Sequence, residues 1–149
     1  MSAQYLVVDG HSIIHAWPSL KRQHQRQPRQ AREELIKSLR MLHDTSQWSV
    51  TLIFDGRFGT SEIPDHAGFI VRYSKEDQTA DSLIEALVAG QPEGNRDRIT
   101  VITADQAERH AVESMGTLCL SPEWLRLEIE QQLGVFTQVK NSVKREAKW

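Results

Sequence analysis

The sequence predicts an α/β domain, a three-layer sandwich in which helices cover both faces of a mostly parallel central sheet. Two observations lead to this fold class. Short apolar segments alternate along the chain with longer segments whose apolar residues recur at helical spacing. The short segments are continuously apolar rather than alternating with polar residues, which is typical of parallel strands that are buried on both faces.

Five strands are predicted from the short apolar segments. The first, at residues 5–8, stops at Asp9-Gly10, and the second, at residues 50–54, stops at Asp55-Gly56. Both endings are turn signals, which supports these boundaries. The remaining strands are predicted at residues 69–73, 99–102 and 118–120.

Helices are predicted between the strands. A short helix at residues 11–17 ends at Pro18, and the polar, glutamine-rich segment at 19–30 is predicted to be a loop. The last helix is expected to have Ser121 as its N-cap and to end near Leu133. The other helices are predicted at residues 29–45, 79–89 and 106–115, with a long loop containing Gly and Pro at 56–68.

The length and the charge distribution predict the domain organisation. A chain of 149 residues has room for one ordinary domain. The formal net charge is only −2, but residues 21–32 carry +5, residues 33–134 carry −9 and residues 135–149 carry +3. We therefore expect one domain over residues 1–134, with a basic loop at 19–32 inserted in it, followed by a basic C-terminal tail at 135–149.

The composition excludes several classes of protein. The single Cys119 leaves no intramolecular disulfide and no multi-cysteine zinc site. No apolar run approaches the ~18 residues of a membrane span, and the first residues lack the features of a signal peptide. We expect a cytoplasmic protein that has no membrane partner.

Aspartates end three of the predicted strands. Asp9 and Asp55 directly follow the first and second strands, and Asp105 lies just beyond the fourth. Each of them alone is well explained as a turn residue or helix cap. Together they are expected at one edge of a parallel sheet, where Asp81 joins them from the start of the helix at 79–89. Such a cluster of hard oxygen ligands suits Mg²⁺ or Mn²⁺.

The ordered motifs of the chain resemble those of the YacP-like NYN domains, a branch of the PIN-like nucleases. The resemblance rests on VDGHSIIHAW, LIFDG, VRYSKEDQTADSLIE and VITADQAER, and it covers about residues 4–130. It implies a PIN-like nuclease domain that cleaves RNA with a divalent metal. By residue match, the catalytic site consists of Asp9, Asp55, Asp81 and Asp105. The direct ligands of Mg²⁺ or Mn²⁺ among these would be Asp9, Asp81 and Asp105.

The activity implied by this resemblance is that of an endonuclease on single-stranded RNA, with a metal-activated water as nucleophile. The RNA is expected as the partner either free or within a ribonucleoprotein. Arg57, which lies two residues after Asp55, is a candidate for binding its phosphates. The basic segment contributes further candidates for the same task, namely Arg22, Arg26 and Arg29.

Two departures from the family's motifs keep an alternative function open. The family's Tyr-Asn after Asp-Gly is His11-Ser12 here, so Ser12 is expected to contact the substrate in place of the asparagine, with a shorter side chain. Ala104 replaces the serine of a Thr-Ser-Asp segment and removes a hydroxyl. These changes are compatible with a non-catalytic RNA-binding or adaptor protein on a PIN-like fold.

A second alternative is a phosphoacceptor receiver domain, in which Asp55 would be the acceptor. Such domains have aspartates at strand ends, but they also use a lysine after the last strand of the sheet. The segment Leu118-Cys119-Leu120-Ser121-Pro122 supplies no lysine, which counts against this alternative.

Two further features have no place in either function. His11 and His15 are spaced i, i+4, as pairs of zinc ligands can be, but the sequence indicates no third ligand. A packed or surface pair is therefore the simpler interpretation. Trp149, at the end of the chain, is a candidate for stacking on a base or a partner.

Overall fold

The computed structural model of the protein describes residues 4–58 and 63–146, with side chains as far as residue 134 except that of Phe58. Its strands are β1 (Gln4–Asp9), β2 (Trp48–Phe54), β3 (Phe69–Tyr73), β4 (Ile99–Ile102) and β5 (Leu118–Leu120). Its helices are α1 (Gly10–Ala16), α2 (Pro18–Arg26), α3 (Pro28–Thr45), α4 (Ala80–Ala89), α5 (Gln106–Ser114) and α6 (Pro122–Glu146). A short 3₁₀ turn at Gly56–Phe58 follows β2, and another at Glu93–Arg98 precedes β4.

The five strands form one parallel sheet in the order β3-β2-β1-β4-β5. Val7 of β1 lies between Thr51 of β2 and Val101 of β4, so β1 is the central strand. The chain builds the sheet to one side of β1 and then crosses to the other side. The topological switch point therefore lies between β1 and β4, where open α/β sheets bind ligands. A receiver domain has the strand order 2-1-3-4-5, so this alternative does not fit the topology.

Helices cover both faces of the sheet, which confirms the predicted three-layer sandwich. Leu6 and Val8 of β1 point into a core formed with α1, α2, α3 and α6, whereas Val7 points into a second core formed with α4 and α5. Representative helix residues of the two cores, all fully buried, are Ile13, Leu39 and Leu125 on the first face and Ile84 and Val112 on the second.

The prediction of a basic loop at residues 19–32 is wrong, because this segment is helical. Pro18 and Pro28 lie in the first turns of α2 and α3, where the fixed φ of proline suits a helix. Leu20 and Ala31 are buried, and most of the glutamines and arginines between them are exposed. The polar composition therefore belongs to the solvent faces of two amphipathic helices, since Gln and Arg are good helix formers.

The predicted end of the last helix near Leu133 is also wrong, because α6 continues to Glu146. Its start is as expected, since the Oγ of Ser121 accepts a hydrogen bond from the Trp124 amide at 3.1 Å. Most of the expected basic tail at 135–149 therefore continues helix α6. The side chains of this segment, and Trp149 altogether, lie outside the described residues.

Two glycines allow close approach at the ends of the strands, Gly10 between β1 and β2 and Gly56 between β2 and β3. A side chain at Gly10, directly after Asp9, would overlap the ring of Phe54, which precedes Asp55. A side chain at Gly56 would overlap the backbone carbonyl of Ser74, which follows β3. Glycine at both positions is therefore required by close approach.

The expected loop at residues 56–68 begins with a 3₁₀ turn at Gly56–Phe58, and residues 59–62 lie outside the described part of the chain. An antiparallel bridge joins His66 to Phe69 where the segment enters β3. Within the described ranges, no helix has both the length and the apolar character needed to cross a membrane.

Candidate functional site: an acidic cleft

A cleft of about 550 Å³ opens at the carboxyl ends of β1, β2 and β4, beside the N-terminus of α4. It lies at the switch point of the sheet, as expected for a ligand site of an open α/β fold. The structure brings all four predicted catalytic aspartates to this cleft, together with Ser12 and Arg57. The four aspartates are Asp9, Asp55, Asp81 and Asp105.

Asp9, at the end of β1, is a buried carboxylate of the cleft, with only 5% of its surface exposed. Its Oδ2 accepts hydrogen bonds from the hydroxyls of Ser12 at 2.9 Å and Thr103 at 3.1 Å. Burial raises the pKa of Asp9, the negative charge of Asp81 raises it further, and the two hydroxyls lower it. The surroundings of Asp9 therefore disfavour its ionised form, whereas a bound cation would favour it.

Asp81 reaches the cleft from the first turn of α4. The helix begins after Thr79, whose hydroxyl accepts a hydrogen bond from the amide of Ser82 at 3.0 Å. The partial positive charge of the helix N-terminus favours a carboxylate at this position. The charge of Asp81 raises the pKa of both Asp9 and Glu108, so these three carboxyl groups lie within electrostatic reach of one another.

Glu108, in the first turn of α5, is an acid of this site that the sequence analysis missed. It is 1% exposed, and neither carboxyl oxygen has a hydrogen-bond partner among the described residues. Burial raises its pKa to about 10, helped by contact with Asp81 and by the charges of Asp9 and Glu85. Two facing carboxylates are both acceptors, so Glu108 keeps a proton unless a cation replaces it.

One sequence signal could have drawn attention to Glu108. It stands three residues after Asp105, at the place where a glutamate often completes a capping box. In the structure Asp105 caps α5, whereas the side chain of Glu108 is buried beside Asp81. A glutamate in this pattern can therefore belong either to a capping box or to a buried acidic site, and only the packing of α5 against α4 shows which applies.

Asp105 is the N-cap of α5, a structural role that its position after β4 also allowed. Its Oδ1 accepts hydrogen bonds from the backbone amides of Ala107 at 2.8 Å and Glu108 at 3.2 Å. It is exposed and lines the cleft. Asp105 thus fixes the start of α5 and places negative charge at the rim of the cleft.

Asp55, at the end of β2, is paired with Arg57. The guanidinium and backbone amide of Arg57 both donate to the Asp55 carboxylate, with the shortest distance 2.6 Å from Nη2 to Oδ2. These hydrogen bonds hold the pKa of Asp55 below its ordinary value. The Asp55 side chain is 8% exposed and that of Arg57 is 57% exposed, so the buried carboxylate holds the Arg57 guanidinium at the solvent side of the cleft.

Ser12 lines the cleft, but its hydroxyl already makes internal contacts. It donates to Asp9, lies 3.2 Å from the Thr103 hydroxyl and accepts a hydrogen bond from the Ala104 amide at 3.3 Å. Ser12 therefore joins α1 to the end of β4 and orients Asp9. The alanine at position 104 contributes its backbone amide to this network.

The predicted phosphate-binding arginines occupy two different places. Arg57 lines the acidic cleft, whereas Arg22 and Arg26 line a separate groove beside Gln23, Gln27 and Gln30. This groove, with a volume of about 440 Å³, lies on α2 and the start of α3. Arg29 instead forms an exposed ion pair with Glu33 at 3.2 Å, which reduces its availability for phosphate.

The carboxyl groups of the cleft fit a divalent cation by their chemistry. In the described part of the chain, no three His, Cys, Asp or Glu side chains already stand in positions to hold one metal ion. However, the Glu108 carboxyl group lies beside Asp81, and its two buried oxygens have no hydrogen-bond partner among the described residues. Hard oxygen donors suit Mg²⁺ or Mn²⁺, and such an ion would relieve the repulsion between these groups.

Comparisons with known proteins agree with this fold. The family model of the YacP-like NYN domain matches residues 6–148. The YacP protein of Bacillus subtilis (strain 168) is 32% identical over 127 residues, which cover 84% of this chain and 74% of that protein. The crystal structure of Rae1 (YacP) from Bacillus subtilis superposes with a TM-score of 0.82 at 27% identity, covering 97% of this chain and 84% of the other. The crystal structure of a mutant of that protein gives a TM-score of 0.81 at 28% identity, with coverages of 95% and 83%.

Proposed function

The chain belongs to the YacP-like NYN domain family, and we propose that it is a divalent-metal-dependent endoribonuclease that cleaves single-stranded RNA. Membership of this family gives the chain a nuclease-like, RNA-related function. The proposal adds the metal dependence, the internal position of the cut and the single-stranded substrate.

The observation that carries the proposal is the group formed by Asp9, Asp81 and Glu108. Three carboxyl groups from β1, α4 and α5 lie within electrostatic reach of one another, and two of them are almost fully buried. Burial and the charge of Asp81 raise the pKa values of Asp9 and Glu108. Such a group is unfavourable for stability by itself, which favours a cation-binding role over a structural one.

These three residues would hold the metal, with Asp105 beside them at the rim of the cleft. When bound, a divalent cation polarises the scissile phosphate and lowers the pKa of a water molecule. Ser12 and Thr103 hold the Asp9 carboxylate in one orientation through their hydroxyls. The chain thus supplies a fixed set of oxygen donors, as precise positioning of the substrate requires.

Arg57 and the groove on α2 would bind the RNA. The guanidinium of Arg57 is held by Asp55 and is more than half exposed, so it can contact a phosphate without losing its orientation. Arg22 and Arg26 offer further cationic contacts along the groove that they line. Contacts of this kind do not depend on base sequence and give an affinity that falls with salt.

Incubation of the purified chain with a mixture of single-stranded RNAs tests the proposal. Products are mapped by end sequencing in Mn²⁺, in Mg²⁺ and in EDTA, with duplexes of the same sequences as a matched substrate. We expect internal cuts in single strands that depend on the metal. Cleavage that persists in EDTA, or that is equally fast on duplexes, would contradict the metal or the substrate assignment respectively.

A non-catalytic RNA-binding protein is the second candidate, and one observation favours it. Three of the four aspartates already have internal partners, since Arg57 holds Asp55, the backbone of α5 holds Asp105, and two hydroxyls hold Asp9. Calorimetric titration separates the two candidates. RNA binding without cleavage, combined with no binding of Mg²⁺ or Mn²⁺ at millimolar concentration, would support the adaptor.

A further inference from the structure

Three histidines from two helices converge beside the acidic cleft. His11 and His15 lie one turn apart on α1 and both line the cleft, and α2 brings His24 against them. The ring centroids are separated by 6.5 Å for His11–His15, 6.5 Å for His11–His24 and 5.4 Å for His15–His24. The third histidine that the sequence did not indicate is therefore supplied by the tertiary structure.

We propose that His11, His15 and His24 form a second metal site, selective for a borderline cation such as Zn²⁺ and distinct from the carboxylate group. Imidazole nitrogen is a common ligand of Zn²⁺, whereas Mg²⁺ and Mn²⁺ prefer oxygen. In a tetrahedral site with Zn–N bonds of ~2.05 Å, ring centroids lie roughly 5–5.5 Å apart. His15–His24 matches this separation, but the other two pairs are about 1 Å wider, so the three rings do not yet stand in positions to hold one ion and must rotate inward to bind it.

The surroundings of His24 favour a ligand bound to its ring. Its Nδ1 is buried and has no hydrogen-bond partner among the described residues. A buried polar nitrogen in this state is unfavourable unless a ligand occupies it. The ring is only partly buried and His15 is exposed, so small rotations of these two side chains can close the site around an ion.

His11 is oriented in the way that ligating histidines often are. Its ring interacts with the backbone of Asp55 through a hydrogen bond, and such a bond fixes the ring and its tautomer. Metals bind the neutral form of an imidazole ring. The positive charge of Arg32 lies near His24 and would oppose a cation, so the site is expected to be weaker than a closed four-ligand zinc site.

A bound ion would clamp α1 to α2. Since Ser12 on α1 orients Asp9, the clamp would stabilise the wall of the cleft that holds this carboxylate. A ligand that binds the folded state alone raises the unfolding temperature, and the stabilisation grows with the logarithm of the ratio of ligand concentration to dissociation constant. The proposal therefore has a stability readout that is independent of RNA cleavage.

Titration of the full chain with Zn²⁺ by calorimetry, and with Co²⁺ by visible absorption, tests the proposal. We expect one Zn²⁺ per chain, a raised unfolding temperature, and Co²⁺ bands typical of nitrogen ligands in a low-symmetry site. His24→Ala and the milder His24→Gln should each weaken Zn²⁺ binding by more than about tenfold. His110→Ala, an exposed histidine on α5, is the matched control and should bind Zn²⁺ as the wild type does.

Three results would overturn the proposal. Zn²⁺ binding that is unchanged in His24→Gln, with circular dichroism showing a folded variant, removes this histidine from the site. Binding that is instead lost in Asp9→Asn places the ion among the carboxylates. Absence of Zn²⁺ binding together with binding of inorganic phosphate that depends on His24 identifies the cluster as an anion site.

Discussion

Arg57 encloses the carboxylate of Asp55 with four hydrogen bonds, one from its backbone amide and three from its guanidinium, at 2.6–3.1 Å. The two residues lie only two positions apart, so the pair forms within one turn after β2. A carboxylate saturated in this way is a poor choice for a direct metal ligand. We interpret Asp55 as the residue that positions Arg57 for a phosphate, although both were proposed from the sequence as separate parts of the site.

This interpretation predicts the same defect for Arg57→Gln and Asp55→Asn. Each should raise the RNA concentration for half-maximal cleavage by about tenfold, with the saturated rate little changed, because a phosphate contact binds substrate and transition state about equally. Initial rates over a range of RNA concentrations measure both constants. A loss confined to the saturated rate in Asp55→Asn would identify Asp55 as a metal ligand instead.

Asp9→Asn is expected to abolish RNA cleavage while the fold is retained. The substitution keeps the volume and one oxygen that can accept from Ser12 and Thr103, but it removes the charge that a hard cation requires. Because burial and Asp81 raise the pKa of Asp9, the metal-free variant should be at least as stable as the wild type. Cleavage assays and thermal melts measure both effects, with Asp97→Asn, exposed at the opposite end of the sheet, as the control. Full activity of Asp9→Asn would exclude Asp9 from the site.

Glu108→Gln is expected to raise the unfolding temperature of the metal-free protein, by on the order of 5 °C at neutral pH. The amide keeps the shape, needs no proton to remain neutral and can donate to Asp81. The pKa of Glu108 is raised from 4.5 to about 10 in the folded state, so between these values the folded chain holds a proton that the unfolded chain releases. Stability contributed by this group therefore falls as pH rises through that interval.

The gain from Glu108→Gln should accordingly be small near pH 4.5 and should increase toward pH 9. Melting curves of variant and wild type across this pH range, in EDTA, measure it. Glu34→Gln, at an exposed position on α3, is the matched control and should show no such trend. A constant difference between variant and wild type at all pH values would mean that Glu108 does not carry the bound proton.

Substitutions of Asp105 separate its capping role from its charge. Asp105→Ala removes the acceptor for the amides of Ala107 and Glu108 and should destabilise the protein by ~1 kcal/mol. Asp105→Asn keeps this cap and should leave stability nearly unchanged, but both variants should weaken Mn²⁺ binding. Thermal melts and metal titrations of the two variants measure these effects. Unaltered Mn²⁺ affinity in both would restrict Asp105 to its structural role.

A further comparison places Asp105 and Asp81 in one site or in two. Asp81→Ala should also weaken metal binding, and the double variant with Asp105→Ala should cleave RNA little more slowly than the slower single variant. Residues that act on one metal site work as a unit, so their losses do not add. Steady-state rates of the three variants measure this, and clean additivity would show that the two residues serve separate functions.

Arg22→Gln combined with Arg26→Gln should weaken RNA binding at low salt and reduce the slope of log affinity against log salt. Each lost phosphate contact lowers that slope by about 0.7 for a single strand. Adding Arg29→Gln should change little, because Arg29 is paired with Glu33. RNA affinity over a salt series measures the slopes, with Lys37→Gln as a control on the exposed side of α3. Superimposable plots for all variants would place the RNA path elsewhere.

The sequence alone predicted the architecture and the location of the site. The strands, the strand-end aspartates and most helices depend on local apolar patterns and turn residues, which act over a few neighbours and are visible without a structure. In a parallel sheet the convergence of Asp9, Asp55 and Asp105 then follows from chain direction alone. The polar composition of residues 19–30 predicted a loop, but the segment is helical. Gln and Arg are good helix formers, and Pro18 and Pro28 occupy positions where helices start.

The tertiary structure decided which of these residues are buried, which are paired and which meet across the chain. Glu108 joins Asp81 because α5 packs beside α4, and His24 joins His15 because α2 folds back along α1. Asp55 and Asp9 both follow a strand and are both buried, but Asp55 is paired with the nearby Arg57, whereas Asp9, within the described part of the chain, has no cationic partner among its hydrogen bonds and lies near Asp81. The neighbours of Asp9 include Asp81 and Thr103, which are distant in sequence, so its electrostatic environment depends on the tertiary structure.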